Sequence, residues 1–279
     1  MGYTEGVPRL EAFDWEGWLG EVEGPLAIGR LRPIFYFPPQ EKREKACVLL
    51  LDASEQAIAF ARVTQDTLSQ KSLDREVQGV MHLDELDIQT FAFPRLITQG
   101  SWGNARYAIY SPIVNGAPGP HKWDTLYLRS WQELKDKTAH HRSISEHFWD
   151  TLQEDWQAVR AYLESHKPTE GFLCCVAHGD FVPWNARIVN RKLVLMDWEE
   201  FSLSAPCFVD PVRFMLRWMG EKRELGSLAE SLVEFVNNLG GGPPDLILVL
   251  AYLAHRGNWP DAMLDLVKSL GPRLGLGLK

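Results

Sequence analysis

His178-Gly179-Asp180-Phe181-Val182-Pro183-Trp184-Asn185, followed by Val194-Leu195-Met196-Asp197-Trp198-Glu199, is the stretch on which the reading of this chain turns. It sets an Asp, an Asn five residues later and a second Asp within one short span. Between them, Ala186–Val189 and Leu193–Met196 read as a strand pair joined at Asn190-Arg191-Lys192. Asp197 therefore stands at the end of an apolar strand, and Asp180 and Asn185 share the loop that precedes it.

Those residue types in that order suit phosphoryl transfer from a magnesium nucleotide. A phosphoryl group in flight spreads negative charge over several oxygens, so a catalyst must neutralise that charge and aim the nucleophile. Mg²⁺ takes hard oxygen ligands, usually one or two carboxylates with water and phosphate. Asp197 and the amide oxygen of Asn185 supply such oxygens. Asp180 stands where an incoming hydroxyl can donate a hydrogen bond and pass on its proton. A turn held by side-chain-to-backbone hydrogen bonds accounts for any one of these residues, but not for the ordered set.

Length and composition agree with a two-lobed protein. The chain has 279 residues, 45% of them hydrophobic, which suffices for a large core or two lobes. The net charge of −8 argues against a broad nucleic-acid footprint. Cys47, Cys174, Cys175 and Cys207 show no metal-binding spacing and read as inert thiols. There is no secretory signal and no apolar run long enough to span a bilayer. A reducing cytoplasm fits both the thiols and a supply of ATP.

Upstream, a short amphipathic piece (Leu10 to Leu19) precedes a stretch interrupted by Gly and Pro. Three strand-like runs follow: Pro33–Phe37, Ala46–Leu51 and Ala57–Val63, with Asp52–Gln56 as the turn between the last two. A helical pattern covers about Leu68 to Leu83, with Leu73, Val77, Val80 and Met81 on one face. Two more strands, Arg95–Thr98 and Arg106–Tyr110, flank the turn cluster Gln99–Asn104. Asn115–Pro120 reads as a loop. Beyond it the pattern is mainly helical, with segments at Thr125 to Lys137 and at Ser145 to His166.

The His-Gly-Asp loop with Pro183 and Asn185, the Asp197-Trp198 pair after a strand, and the later Asp210-Pro211 resemble the aminoglycoside phosphotransferase and choline kinase superfamily of small-molecule kinases. The resemblance is strong from Val176 to Arg213 and mostly positional over the first hundred residues. It implies an α+β, two-lobed, protein-kinase-like fold: an N-lobe (1–111) with a five-stranded antiparallel sheet and one helix, and a mainly helical C-lobe (112–279). It implies ATP and Mg²⁺ as cofactors and the hydroxyl of a small molecule as acceptor, with Asp180 as the base and Asn185 and Asp197 on the metal. His178 and Asp210 are implied as structural supports of the loop, and Glu199 as a neighbour of the metal or a solvated surface residue. The kinase pattern further assigns Ser111, Pro112, Ile113 and Val114 to an adenine-reading hinge.

Two departures stand out. A kinase strand normally offers a Lys to the phosphates and to a helix Glu; here the corresponding strand offers Arg62, and the helix offers Glu76. The segment Pro38–Lys45, where such enzymes carry a glycine-rich loop, has no Gly, although Lys42, Arg43 and Lys45 bring charge, and Gly24 and Gly29 are a second place for phosphate contacts. These departures define a rival reading, a pseudokinase-type binding or scaffold protein with weak or no catalysis. A protein kinase is disfavoured, since no Ala-Pro-Glu element follows Asp197 and the interval to Asp210 is short. For the acceptor, sugars, amino alcohols and aminoglycoside-like compounds all fit. Trp184, Trp198, Trp218 and Trp259 are candidates for walls of a cation-binding cage, or simply core.

Overall fold

The computed structural model describes residue 10 and residues 13–26, 30–37, 45–143, 156–166, 171–219, 224–257 and 260–274. The chain divides into two compact units, residues 1–117 with 187–200, and residues 118–186 with 201–279.

In the first unit, alternation of small and branched apolar residues makes strands. Helix α1 (Trp15–Leu26) precedes β1 (Arg32–Tyr36), β2 (Lys45–Leu51) and β3 (Ala57–Thr64). Helix α2 (Thr67–Glu85) is followed by β4 (Phe91–Ala92), β5 (Leu96–Trp102) and β6 (Ala105–Tyr110). Five of these strands form one antiparallel sheet in the order β1-β2-β3-β6-β5. The β2–β3 turn is closed by Asp52, whose Oδ1 accepts from the amides of Ser54 and Gln56 at 2.8 and 2.9 Å. The turn expected at Asp52–Gln56 is thus built on Asx geometry. Helix α2 starts at Asp66, whose carboxylate accepts from the Ser69 amide at 2.9 Å, a standard N-cap.

Three expectations for this unit need correction. The amphipathic piece near the N-terminus is a helix that runs on through Gly20, Gly24 and Pro25. Burial of Trp18 and Val22 against Val48, Leu50, Ala61 and Ile109 outweighs the poor helix propensity of those residues. Strand β5 continues through Gly100 to Trp102, so the turn is reduced to Gly103 and Asn104. Register with β6 over Thr98 to Trp102 supplies the ladder bonds that override the turn-like composition. Met81 is 49% exposed, so it lies off the buried face of α2 that carries Leu73, Glu76, Val77, Val80 and Leu83.

After β7 (Ala117–Pro118), the second unit begins with α3 (Thr125–Thr138), β8 (His140–Arg142), α4 (Gln157–His166) and β9 (Phe172–Ala177). The loop expected at Asn115–Pro120 therefore contains a two-residue strand. The expected helix from Ser145 is described only from Gln157; its first part, like Lys42, Arg43, Gly29 and Trp259, lies outside the described residues. Strands β10 (Ala186–Val189) and β11 (Lys192–Leu195) form a hairpin, and both Asn190 (φ 51) and Arg191 (φ 63) adopt the left-handed conformation of a tight two-residue turn. The sheet order here is β4-β11-β10-β7, with β4 parallel to β11.

Strand β12 (Ser202–Pro206) returns to the second unit and pairs antiparallel with β9, which also pairs with β8. Helices α5 (Val209–Met219), α6 (Leu225–Asn238), α7 (Pro243–His255) and α8 (Pro260–Leu274) complete it. Helix α7 is apolar nearly all round: Leu246 to Ala251, Leu253 and Ala254 are all buried, which makes it the axis of the helical core.

Candidate active site

In the second unit, the loop after β9 carries Asp180 and Asn185 on a densely bonded backbone. Gly179 sits at φ 80, a left-handed conformation that a side chain disfavours. The amides of His178 and Gly179 donate to Oδ2 and Oδ1 of Asp210, at 2.8 and 2.9 Å. Asp210 is buried at the start of α5, and burial raises its pKa against the opposing pull of His178 and those amides. The His178 ring is fully buried, and its Nδ1 accepts from the Asp180 amide at 3.2 Å.

Phe181, also fully buried, anchors the loop in an aromatic cluster with Trp123, Tyr127 and Phe214 through ring contacts of 5.9 Å to Trp123 and 5.5 Å to Tyr127. Loop and strand approach closely at Gly119: a Cβ there would lie 2.7 Å from both Ala186 Cβ and the Tyr127 hydroxyl.

The loop's functional groups meet one another. Asn185 Nδ2 donates to Asp180 Oδ2 at 2.9 Å and to the Asp180 carbonyl at 3.0 Å. Its oxygen, Oδ1, has no donor among the described residues. Arg213 of α5 donates through Nε to Asp180 Oδ1 at 2.9 Å, and its Nη2 lies 2.8 Å from the same oxygen. Arg213 escaped the sequence analysis. The available signal was Asp210 itself, because a residue three further along a helix shares its face.

In the first unit a second constellation forms around Arg62 on β3. Its Nη2 donates to Asp197 Oδ1 at 2.8 Å, and its Nη1 lies 3.2 Å from Glu76 Oε2 on α2 and 3.6 Å from Glu199 Oε2. Lys45, the first residue of β2, donates to Glu199 Oε2 at 2.7 Å. Asp197 adopts φ 66, a left-handed turn that Asp tolerates better than most residues. Trp198 behind it is fully buried, donates through Nε1 to the Leu195 carbonyl at 3.1 Å and stacks on Phe91 at 6.2 Å. Trp198 is thus a core anchor of the first unit, not a wall of an acceptor cage in the C-lobe. Trp184 is 55% exposed, with the Arg217 guanidinium 5.8 Å from its ring centroid.

The electrostatics of this second constellation are unbalanced. Arg62 and Glu76 are buried, and among the described residues Arg62 Nε has no hydrogen-bond partner, while Glu76 Oε2 is held only by the ion pair with Arg62 Nη1. Burial pushes Glu76 up to about 7 against the pull of Arg62, with the Asp197 and Glu199 charges adding to the rise. Cys47, opposite Arg62 in the β2–β3 register, is raised by burial, which outweighs Arg62 and Lys45.

Ser111 to Val114 form the extended segment after β6, where the Ser111 amide donates to the Arg95 carbonyl at 2.8 Å and the Ser111 hydroxyl accepts from the Arg95 amide at 2.9 Å.

The predicted residues therefore fall into two groups. Asp180, Asn185, His178 and Asp210 come together in one unit, and Arg62, Glu76, Asp197 and Glu199 in the other. Among the described residues, no group of three or more His, Cys, Asp or Glu side chains could hold a metal ion. The oxygens of Asn185 and Asp197 are of the hard type that Mg²⁺ takes alongside phosphate and water.

No protein-family model and no curated protein sequence matches the chain. Solved structures do. Aminoglycoside phosphotransferase APH(4)-Ia, as a thermostable mutant in ternary complex with ADP and hygromycin B, superposes with a TM-score of 0.58 at 11% identity, over 96% of this chain and 100% of that one. The fold is that of an aminoglycoside phosphotransferase. A second APH(4)-Ia complex, with AMP-PNP and hygromycin B, gives 0.59 at 13% identity over 95% and 100% of the two chains. Spectinomycin phosphotransferase APH(9)-Ia, with ADP and spectinomycin, gives 0.54 at 12% identity over 93% and 90%. The α+β, two-lobed, kinase-like aminoglycoside phosphotransferase fold thus extends over nearly the whole chain, far beyond the span of the sequence resemblance. Fold alone does not set chemistry, which must be argued from the side chains.

Proposed function

We propose that the protein is an ATP-dependent phosphotransferase that phosphorylates a hydroxyl of a small molecule, in the cytoplasm. The observation that carries this reading is the ordered set Asp180, Asn185 and Asp197, held by named partners in the loops that follow β9 and β11. In the proposed reaction the acceptor hydroxyl donates its hydrogen bond to Asp180. Its oxygen bonds to the γ-phosphorus as the bond to the β,γ-bridging oxygen breaks, and the proton passes to Asp180 late in the step.

Asn185, through Oδ1, and Asp197 would hold Mg²⁺, which when bound neutralises charge on the phosphates. Arg62, oriented by Glu76, contacts the phosphates with a planar fork in place of the usual ammonium. Ser111 to Val114 read adenine through their backbone. His178 and Asp210 fix the loop. In this reading residues 1–111 position the nucleotide, and 112–279 carry the loop and the acceptor site. A sugar, amino alcohol or aminoglycoside-like compound is the acceptor; no nucleic acid takes part.

One observation favours the rival, a binding protein with little catalysis: Arg62 already neutralises Asp197 at 2.8 Å. Two measurements separate the readings. The first is the thermal shift with Mg-ATP, where a ligand at a hundred times its dissociation constant adds about 2.7 kcal/mol. The second is ATP consumption against a library of sugars, amino alcohols and aminoglycosides. A shift with acceptor-dependent turnover supports the phosphotransferase. A shift without turnover supports the binding protein, and no shift at millimolar Mg-ATP refutes both nucleotide readings.

A further inference from the structure

Helix α5 grips the loop at three consecutive residues. Asp210 takes the amides of His178 and Gly179, and one helical turn on, Arg213 takes the side chain of Asp180. The Arg213 side chain is 8% exposed and that of Asp180 22%, so this pair is largely withdrawn from water. The guanidinium approaches Asp180 side-on. Nε and Nη2 both address Oδ1, at 2.9 and 2.8 Å, and a single-point ammonium cannot copy that geometry.

The remaining capacity of the carboxylate is then defined. An ionised carboxylate offers about two acceptor sites on each oxygen. Oδ1 is occupied by the two Arg213 nitrogens. Oδ2 accepts one bond, from Asn185 Nδ2, and keeps one site open.

We propose that Arg213 is a positioning residue for phosphoryl transfer: by occupying Asp180 Oδ1 it turns Oδ2 toward the acceptor hydroxyl and fixes the carboxylate plane. This rests on the phosphotransferase reading. A salt bridge with a purely architectural role would affect folding. A positioning residue affects the chemical step while leaving nucleotide binding alone.

The test uses the full-length protein with Mg-ATP, water serving as acceptor in the basal hydrolysis assay. The variants are Arg213→Met, Arg213→Lys, Arg213→Ala and Asp180→Asn, each with its melting temperature recorded. Arg213→Met is expected to lower kcat roughly a hundredfold, the scale of a misplaced reactive group, with the KM for Mg-ATP unchanged. Arg213→Lys restores part of kcat, and added guanidinium ion restores turnover to Arg213→Ala.

If Asp180→Asn abolishes turnover while Arg213→Met keeps kcat within about threefold of the wild type, the positioning role is overturned and the phosphotransferase reading stands. It is also overturned if Arg213→Met loses kcat only in proportion to folded protein, without rescue by Lys or guanidinium. A wild type that binds Mg-ATP without turnover of water or of any sugar, amino alcohol or aminoglycoside sinks both.

Discussion

Around Asp180 both carboxylate oxygens are engaged at 2.9 Å, one by Arg213 and one by Asn185, and the backbone beneath is pinned by Asp210. Around Arg62, three carboxylates (Glu76, Asp197, Glu199) meet two cations (Arg62, Lys45), and among the described residues the buried Arg62 Nε lacks a hydrogen-bond partner. One constellation is locally complete. The other crowds three carboxylates against two cations in a largely buried setting, where burial raises the Glu76 acid to about 7. In the proposed reaction the difference assigns nucleotide dependence to the Arg62 cluster, while the Asp180 loop is preorganised.

The largest expected effect comes from deleting the carboxylate that the proposed metal needs. Asp197→Ala should lower turnover on the order of a thousandfold or more; near-normal ATP consumption in that variant would remove Asp197 from the mechanism. Next is Arg62→Met, which removes the guanidinium that pairs with buried Glu76 and with Asp197. A loss of about 3–5 kcal/mol in denaturant unfolding is expected. A loss below about 1 kcal/mol would place this pair among weak surface salt bridges.

The third prediction concerns pH. A buried acid raised to about 7 holds its proton in the folded state over a range where the unfolded chain releases it. The folded state then binds more protons than the unfolded one, so this group's contribution to stability falls as pH rises from about 4.3, the unfolded Glu value, toward 7. Glu76→Gln removes that dependence. Its stability relative to the wild type should climb across this window by no more than about 3 kcal/mol. Melting curves at pH 5, 6 and 7.5 test this, and a constant offset would contradict the unbalanced-charge picture. The smallest effect is expected for Lys45→Met, because Glu199 keeps Arg62 at 3.6 Å. A destabilisation of about 1 kcal/mol by thermal unfolding is expected; a loss as large as that of Arg62→Met would make Lys45 the principal counter-ion.

Much of this architecture could be read in the sequence wherever local chemistry dictated it. Asp52 closing its turn, Asn190-Arg191 reversing the chain and the apolar runs of β2 and β3 are set by neighbours a few residues away. The failures share a cause in long-range packing. Helix α1 forms despite Gly24 and Pro25 because Trp18 is buried against the sheet, and β5 passes through Gly100 because β6 pairs with it. For Trp198, which the sequence left open between a cage wall and core, stacking on Phe91 decides for core.

In the candidate site, the oxygen-bearing residues could be picked out because their spacing is local. The cations around them could be identified only in part. Arg62 was assigned by analogy with a strand Lys, whereas Lys45 meets Glu199 across 154 residues and Arg213 meets Asp180 across 33, separations at which sequence spacing carries no contact information.

The path of the chain has its own consequence. It passes between the units three times, at residues 117–118, 186–187 and 200–201. No single cut therefore yields the first unit intact: a fragment ending at residue 117 lacks β10, β11 and Asp197, leaving Arg62 without one of its counter-ions. A protease nick at one crossing leaves two covalent bridges in place. Expressing the two units separately would require new linkers that join residues 1–117 to 187–200 and residues 118–186 to 201–279; circular permutation alone cannot do it, because the four segments alternate between the units.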